Sequence, residues 1–322
     1  MENLPIVAKQ VLILFLLMGI GFVCRKIRML DEKSSRGIID LLILFVTPCV
    51  IVDAFQRPFD RAMMTGLGIA FAVAVAVHVV GIALAHGLVR HAEDRTVRVL
   101  RIAAVFSNAG FMGIPLEQAI LGERGVFFGA AYIVVFNLFI WSWGYGQMKN
   151  ARAEAGNDRG NDRKGGQKHD LAFLINPGTI GLTAGLAVFL LPWRLPEVFG
   201  NPIHQLSGLN TPLAMIVIGY YLAGAKLGAV ARMPSAYVSA AIRMVACPLL
   251  VTAALYPFRR WLDRDMMLAL VIASAAPVAA MVSMFAAKFD RDVDASVGMV
   301  SGTTVLSIAT VPPVVAFAMS VL

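Results

Sequence analysis

Charged residues are scarce in this chain, and their scarcity limits the class of protein to which it can belong. Only 15% of the 322 residues are Asp, Glu, Lys or Arg, whereas roughly a quarter are charged in a typical soluble domain. Hydrophobic residues make up 58%, and the mean hydropathy is +0.75. The composition therefore predicts an all-α protein that crosses a membrane several times and has little room for a soluble domain.

Sequence patterns of catalysis and cofactor binding are also missing. The three cysteines have no metal-ligand spacing and lie within or at the ends of apolar segments, as small buried hydrophobes do. No paired carboxylates, HExxH, GxSxG or phosphate-binding glycine loop occurs. The net charge of +8 comes from basic residues in short loops, which is typical of membrane topology. We therefore predict no enzyme, no cofactor, no metal site and no nucleic-acid partner.

Long apolar segments are what the chain has in abundance. A bilayer span needs about 20 mostly apolar residues, and we find ten segments of that kind. The first is interpreted as a span and not a cleaved signal, because its basic cluster follows the apolar run. The predicted spans are 5–24, 37–56, 62–89, 98–121, 125–148, 171–191, 205–225, 236–257, 265–287 and 296–320.

One polar segment divides the chain. Residues 149–170 are rich in Gly, Asn and mixed charge, which indicates a flexible linker between a first half, 1–148, and a second half, 171–322. The loops on the linker's side of the membrane hold 19 basic residues and those on the other side hold 8. This bias predicts a cytoplasmic linker, both termini outside the cytoplasm, and residence in the inner (plasma) membrane.

The two halves show signs of an internal repeat. Thr47-Pro48 and Thr211-Pro212 are 164 residues apart, and Pro115 and Pro277 are 162 residues apart. With five spans in each half, the halves have opposite orientations in the membrane. Inverted five-span repeats with interrupted helices are typical of secondary transporters.

The fourth predicted span contains residues that interrupt a helix. In SNAGFMGIPL, 107–116, Pro115 removes a backbone donor and clashes with the preceding turn. Gly110 and Gly113 permit unusual dihedrals and close contacts. Asn108 can cap a half-helix or offer its amide to a ligand. The alternative is that the glycines only permit tight packing and the proline only kinks the helix.

A second interruption is predicted in the ninth span, at ASAAPVAAMVS, 273–283. If both helices break at mid-membrane and cross, each presents the N-terminus of a half-helix to the same volume, and free N–H groups there favour an anion. The predicted substrate-binding residues are Asn108, Gly110, Gly113, Pro115, Ser274 and Pro277, with Asn137 of the fifth span as either a cavity liner or an interhelical bridge.

Several stretches resemble the auxin efflux carrier family. They are NAGFMGIPL (108–116), INPGTIG (175–181), TPLAMIVIGYYLAGA (211–225), AIRMVACPLL (241–250) and the segment from Ala276 to Val315. The resemblance covers nearly the whole chain in order. It implies a ten-span carrier of the sodium/proton antiporter and bile-acid symporter type, with crossed helices four and nine.

The resemblance further implies an elevator mechanism and a homodimer. Helices 1, 2, 6 and 7 are the scaffold, and helices 3–5 and 8–10 form the transport domain. Family substrates are organic anions: auxins in plants, malate or malonate in some bacterial members. The short linker is similar to bacterial members, and Ala109 and Phe111 differ from plant sequences, so Asn108 and the two prolines carry over whereas auxin does not.

Few ionisable residues lie within predicted spans, where a charge indicates function, and three of them are candidates for a role in transport. His78 either relays protons or makes a hydrogen bond between helices. Arg243 either attracts the anion or extends to the cytoplasmic surface. Glu117 either titrates during transport or complements a helix dipole. The coupling ion, H⁺, Na⁺ or none, is left open.

The sequence thus predicts a secondary transporter of a small mono- or dicarboxylate in contact with membrane lipid. The alternatives are an exporter of an auxin-like aromatic carboxylate, and an anion channel or a cation-coupled symporter of the same fold.

Overall fold

We describe a computed structural model of the protein for residues 3–90, 92–149, 177–191, 195–224 and 230–322. Within these ranges every regular element is helical, and the only strand-like feature is one isolated antiparallel bridge. The all-α prediction is confirmed for the described residues. Most of the predicted linker, 149–170, lies outside them.

Six helices are long and apolar enough to cross a membrane. They coincide to within a few residues with six of the predicted spans: the first, second, third, fifth, eighth and tenth. The helices are α1 (Leu4–Lys26), α2 (Glu32–Phe55), α3 (Arg61–Leu88), α6 (Glu123–Met148), α10 (Pro234–Phe258) and α13 (Val293–Val321).

The other four predicted spans are divided or only partly described. The fourth consists of α4 (Asp94–Val105) and, after a π-helical turn, α5 (Ile114–Leu121). The ninth consists of α11 (Arg264–Ala275) and α12 (Met281–Lys288). The seventh overlaps the end of α8 (Glu197–Gly208) and contains α9 (Asn210–Leu222). Helix α7 (Pro177–Leu190) covers part of the sixth, whose first residues lie outside the described ranges.

Local sequence explains where several helices begin. An aspartate precedes four of them, and its carboxylate accepts hydrogen bonds from the first free backbone N–H groups. At Gly122, between α5 and α6, φ is +66°, a left-handed conformation that glycine adopts without strain. The capping residues are Asp31, Asp60, Asp263 and Asp292.

Prolines explain three of the π-helical turns. Pro48, Pro115 and Pro248 each occupy the second residue of the α-helical segment that follows such a turn. A proline has no N–H and clashes with the carbonyl of the preceding turn, so the backbone widens there without ending the helix. The polypeptide thus keeps α2 and α10 continuous despite a proline in each.

Helices α1 and α9 pack with their backbones in direct contact. A Cβ atom on Gly21 would overlap the carbonyl of Ile216, and one on Gly219 would overlap the carbonyl of Met18. Small residues allow this approach between membrane helices. The two contacts are reciprocal, so the seam between the helices holds no layer of side chains at these points.

Candidate functional site

The two interrupted helices are joined to each other at their interruptions. Residues Phe106–Asn108 are non-helical after α4 ends, and a comparable non-helical stretch follows α11. The N–H of Asn108 donates to the carbonyl of Pro277 at 2.6 Å, and the N–H of Ala279 donates to the carbonyl of Phe106 at 3.0 Å. These bonds form a short antiparallel bridge, which satisfies backbone groups that lipid could not. We call this region, 106–113 with 276–281, the crossover.

The interruption of the fourth span does not lie at its proline. The non-helical residues end at Asn108, and the π-helical turn Ala109–Gly113 separates them from Pro115. In the ninth span, by contrast, Pro277 lies within the non-helical stretch and supplies a bonded carbonyl. Pro115 therefore shapes the turn after the break, whereas Pro277 is part of the break itself.

Arg243 is buried at the crossover, and the interpretation in which it extends to the membrane surface is wrong. Its side chain is fully buried. One guanidinium nitrogen donates to the carbonyl of Val105, at the end of α4, and the other donates to the carbonyl of Ser274, near the end of α11. The cation thereby caps the negative ends of both half-helices at once.

The backbone N–H groups of the turn that follows Asn108 are only partly hydrogen-bonded. The carbonyl of Asn108 accepts the N–H groups of Met112 and Gly113. Within the described residues, the N–H groups of Ala109, Gly110 and Phe111 have no acceptor. They carry the partial positive charge of the helix end.

Asn108 itself is a second sign of a binding site. Its side chain is only 6% exposed, and no hydrogen-bond partner for its amide is found in the part of the chain described. A Cβ atom added at the nearby Gly110 would meet nothing within 4 Å, so there is open space beside the break. The amide atoms are not fully sealed from the surroundings, so a ligand in this space can reach their donor and acceptor groups.

His78 is buried among aromatic rings beside the crossover. Its ring lies 5.0 Å from that of Tyr132 and 5.3 Å from that of Phe139, measured between centroids. Nδ1 bonds to the carbonyl of Ala74 in its own helix, and Nε2 has no partner within the described residues. The predicted hydrogen bond between helices is not seen there.

Glu117 is buried in a space that a glycine provides. A Cβ atom on Gly129 would overlap its carboxyl group, and Oε2 has no hydrogen-bond partner within the described residues. Glu117 lies in the first turn of α5, as the dipole interpretation requires. Its burial also matches the titration hypothesis, so both interpretations stay predictions.

The remaining predicted residues have local roles in the structure. The hydroxyl of Ser274 donates to the carbonyl of Val271 in its own helix, and the amide of Asn137 donates likewise to Ile133. Gly113 packs against the backbone of Ala273 at 3.6 Å, measured from an ideal Cβ position. Ser274 thus contributes its carbonyl to the crossover and not its hydroxyl.

Sequence reasoning missed several polar residues that support the crossover. The hydroxyl of Thr303 accepts the N–H of Val278 at 3.0 Å, and that of Ser239 donates to the carbonyl of Leu100 at 2.7 Å. Tyr132 and Ser107 bond through their hydroxyls at 3.3 Å. Their one signal in the sequence is a hydroxyl inside an otherwise apolar span.

A separate cluster of charges lies at the end of the bundle where α2 ends and α6 begins. Asp53, Glu123 and His204 have potential metal-ligand atoms within 4.8 Å of one another, and Arg57 lies 3.3 Å from Glu123. The hydrogen bond from His204 to Asp53, 3.0 Å long, raises the pKa of the imidazole above its ordinary 6.5. We call these four residues the polar end cluster.

Comparison with known proteins finds a matching family and a similar transporter. The model of a family described as membrane transport protein matches residues 6–314. An uncharacterized transporter from Methanothermobacter thermautotrophicus is 23% identical over 311 residues, which cover 94% of this chain and 96% of the relative.

Proposed function

Because the chain belongs to the membrane transport protein family, we propose that it is a secondary transporter whose substrate is a small organic anion, a mono- or dicarboxylate, bound at the crossover. Family membership confirms the resemblance to auxin efflux carriers noted in the sequence. It also establishes the broad role of a multi-pass transport protein. Substrate and mechanism are the proposal.

The main support for the proposal is a difference between the helix ends at the crossover. Arg243 neutralises the two C-terminal ends, while the first N–H groups of the turn after Asn108 have no acceptor within the described residues. An anion placed there gains hydrogen bonds and the favourable dipole. The unpaired amide of Asn108 adds a neutral donor at the same place.

For the mechanism we propose an elevator built on two inverted five-span repeats. The crossover, α3, α6, α10 and α13 are assigned to the moving part, in which hydrogen bonds join α10 to α4 and α13 to the crossover. The pair α1 and α9 belongs to the scaffold, because its glycine seam fixes the two backbones together. A homodimer formed through the scaffold completes the proposal.

Orientation and energy coupling are also proposed. The distribution of Lys and Arg supports an orientation with both termini outside the cytoplasm, and we propose that the protein resides in the plasma membrane. Proton coupling is supported by two buried groups near the crossover, His78 and Glu117, each with one side-chain atom unpaired within the described residues. Transport driven by the membrane potential alone is the competing proposal.

The test is transport by Asn108→Ala in proteoliposomes. We expect the substitution to abolish saturable malonate or malate uptake, since it removes the buried amide, while the yield of folded protein stays at the wild-type level. The control is Asn201→Ala, which changes an exposed asparagine of α8 and is expected to leave uptake unchanged.

Three outcomes would contradict the proposal. Wild-type uptake by Asn108→Ala removes the residue from the site. The proposed substrate class is wrong if a cation or a neutral solute stabilises the wild-type protein against heat and no carboxylate does. The carboxylates tested are malonate, malate, succinate, formate and indole-acetate. Flux that does not saturate and shows no counterflow identifies a channel.

A further inference from the structure

A second buried asparagine has an amide with no partner. Asn210, the first residue of α9, is 2% exposed, and neither its Nδ2 nor its Oδ1 has a hydrogen-bond partner within the described residues. An amide can form up to four hydrogen bonds, and leaving one buried without any is costly. Each such group in a native protein requires an explanation, and an absent ligand is one.

The position of Asn210 relates it to the crossover. Cα atoms of α9 approach those of the turn Ala109–Gly113 to within 8 Å. Ala214, one helical turn after Asn210 and on the same face, belongs to the same buried apolar cluster as Ala109 and Met112. Asn210 therefore lies on a buried face of α9, the helix that packs against the turn next to Asn108.

We propose that Asn210 is a second substrate-binding residue, which bonds a polar group at the end of the substrate remote from Asn108. This inference rests on the function proposed above and makes it more specific. In that proposal Asn108 is on the moving part and Asn210 on the scaffold, so the substrate lies between two amides. The Nδ2 of Asn210 can donate to a second carboxylate or to a hydroxyl of the substrate, and a hydroxyl can in addition donate to Oδ1.

The substrate class that follows is a dicarboxylate or hydroxycarboxylate. An aromatic monocarboxylate would place an apolar ring against the amide of Asn210 and leave it without a partner. A site built to bond a polar group rejects an analogue that lacks the group, since its own buried atoms are then unpaired. Asn210 is thus a residue that determines specificity, while Asn108 serves any carboxylate.

The experiment compares malonate with propionate, which has the same number of carbons and lacks the second carboxylate. Dissociation constants are measured on purified wild-type protein, Asn210→Leu and the control Ser35→Ala. Leucine fills a similar volume and needs no hydrogen bond. Ser35 is also fully buried with an unpaired hydroxyl, but it lies at the start of α2, in its first turn.

We expect Asn210→Leu to bind malonate about tenfold more weakly, the loss of one hydrogen bond to a charged group. Its affinity for propionate and its melting temperature without ligand stay at or above the wild-type values. Ser35→Ala binds both acids as the wild type does. If Asn210→Leu fails to fold, Asn210→Ala is measured against the same expectations.

Two results overturn the inference. Unchanged malonate affinity in Asn210→Leu means that the amide does not contact the substrate. An equal loss for both acids together with a lower melting temperature means that Asn210 has a structural role. The wild-type measurement alone judges the proposed function, because a protein that binds neither acid refutes the carboxylate site whatever the variants do.

Discussion

The crossover and the polar end cluster use charged side chains in opposite ways. At the crossover one arginine is fully buried and bonds to backbone carbonyls of two helices. In the polar end cluster the imidazole of His204 is 72% exposed, and its partner is another side chain, Asp53. A buried cation with no backbone partner would be prohibitively costly, whereas an exposed ion pair contributes little.

This difference indicates which of the two regions tolerates substitutions. The hydrogen bonds of Arg243 connect residues 138 and 31 positions away in the sequence, so they hold the fold together from within. The ion pairs Asp53–His204 and Arg57–Glu123 connect side chains that water also reaches. We therefore expect large structural effects from the first region and modest, pH-dependent effects from the second.

The largest effect is predicted for Arg243→Leu. The change leaves the carbonyls of Val105 and Ser274 without a donor in a buried site, and two lost bonds to a charged group are worth about 3–5 kcal/mol. We expect little folded protein, read from size-exclusion profiles and thermal unfolding in detergent. Arg243→Lys, which keeps the charge, should have intermediate stability. If both variants are stable, the hydrogen bonds of Arg243 to the two carbonyls are dispensable for folding.

An intermediate effect is predicted for Gly129→Ala. The added Cβ overlaps the carboxyl group of Glu117, and overpacking of this kind destabilises by about 1–3 kcal/mol. Thermal unfolding measures the loss. The double variant Gly129→Ala with Glu117→Ala should recover most of it, because the clash has gone. Equal instability of the single and double variants would contradict the described packing.

The smallest effect is predicted for the polar end cluster. Asp53, to which His204 bonds, and Glu123 both raise the pKa of His204, so the imidazole binds its proton more tightly when folded than unfolded. The stabilisation is then fully present below the unfolded pKa near 6.5 and is lost as pH rises through the higher folded value. It amounts to less than about 1 kcal/mol, because the pair is exposed to solvent.

The measurement is the melting temperature from pH 5 to pH 9 for the wild type and for His204→Ala. We expect the difference between them to be largest at low pH and to vanish at high pH. A difference that is constant with pH, or that grows towards pH 9, would show that the imidazole acts by packing and not by its charge.

The sequence predicted the positions of most helices because long apolar runs are a local signal. It also located the break near Asn108, where an asparagine and two glycines stand within six consecutive residues of a span. Pro115, one of the residues expected to interrupt the span, does not lie at the break, because a proline in the second position of a helical segment widens the turn before it and leaves the helix intact.

The hydrogen bonds of Arg243 to two helices could not be predicted from its neighbours in the sequence. An arginine near the end of an apolar span can extend to the surface or turn inwards, and the choice depends on which unpaired groups its neighbours present. Those groups are the carbonyls of Val105 and Ser274, exposed only because two distant helices stop at one place. The unpaired amide of Asn210 likewise gave no signal, since asparagine at the start of a helix is common.

The seam between α1 and α9 has a mechanical consequence. At Gly21 and Gly219 peptide groups of the two helices touch each other directly, with no intervening methyl or larger group that could adjust its rotamer. Two helices in such direct contact cannot slide or roll past one another without separating their backbones. If the proposed elevator mechanism holds, this pair is the part of the molecule whose internal geometry stays constant while the transport domain is displaced.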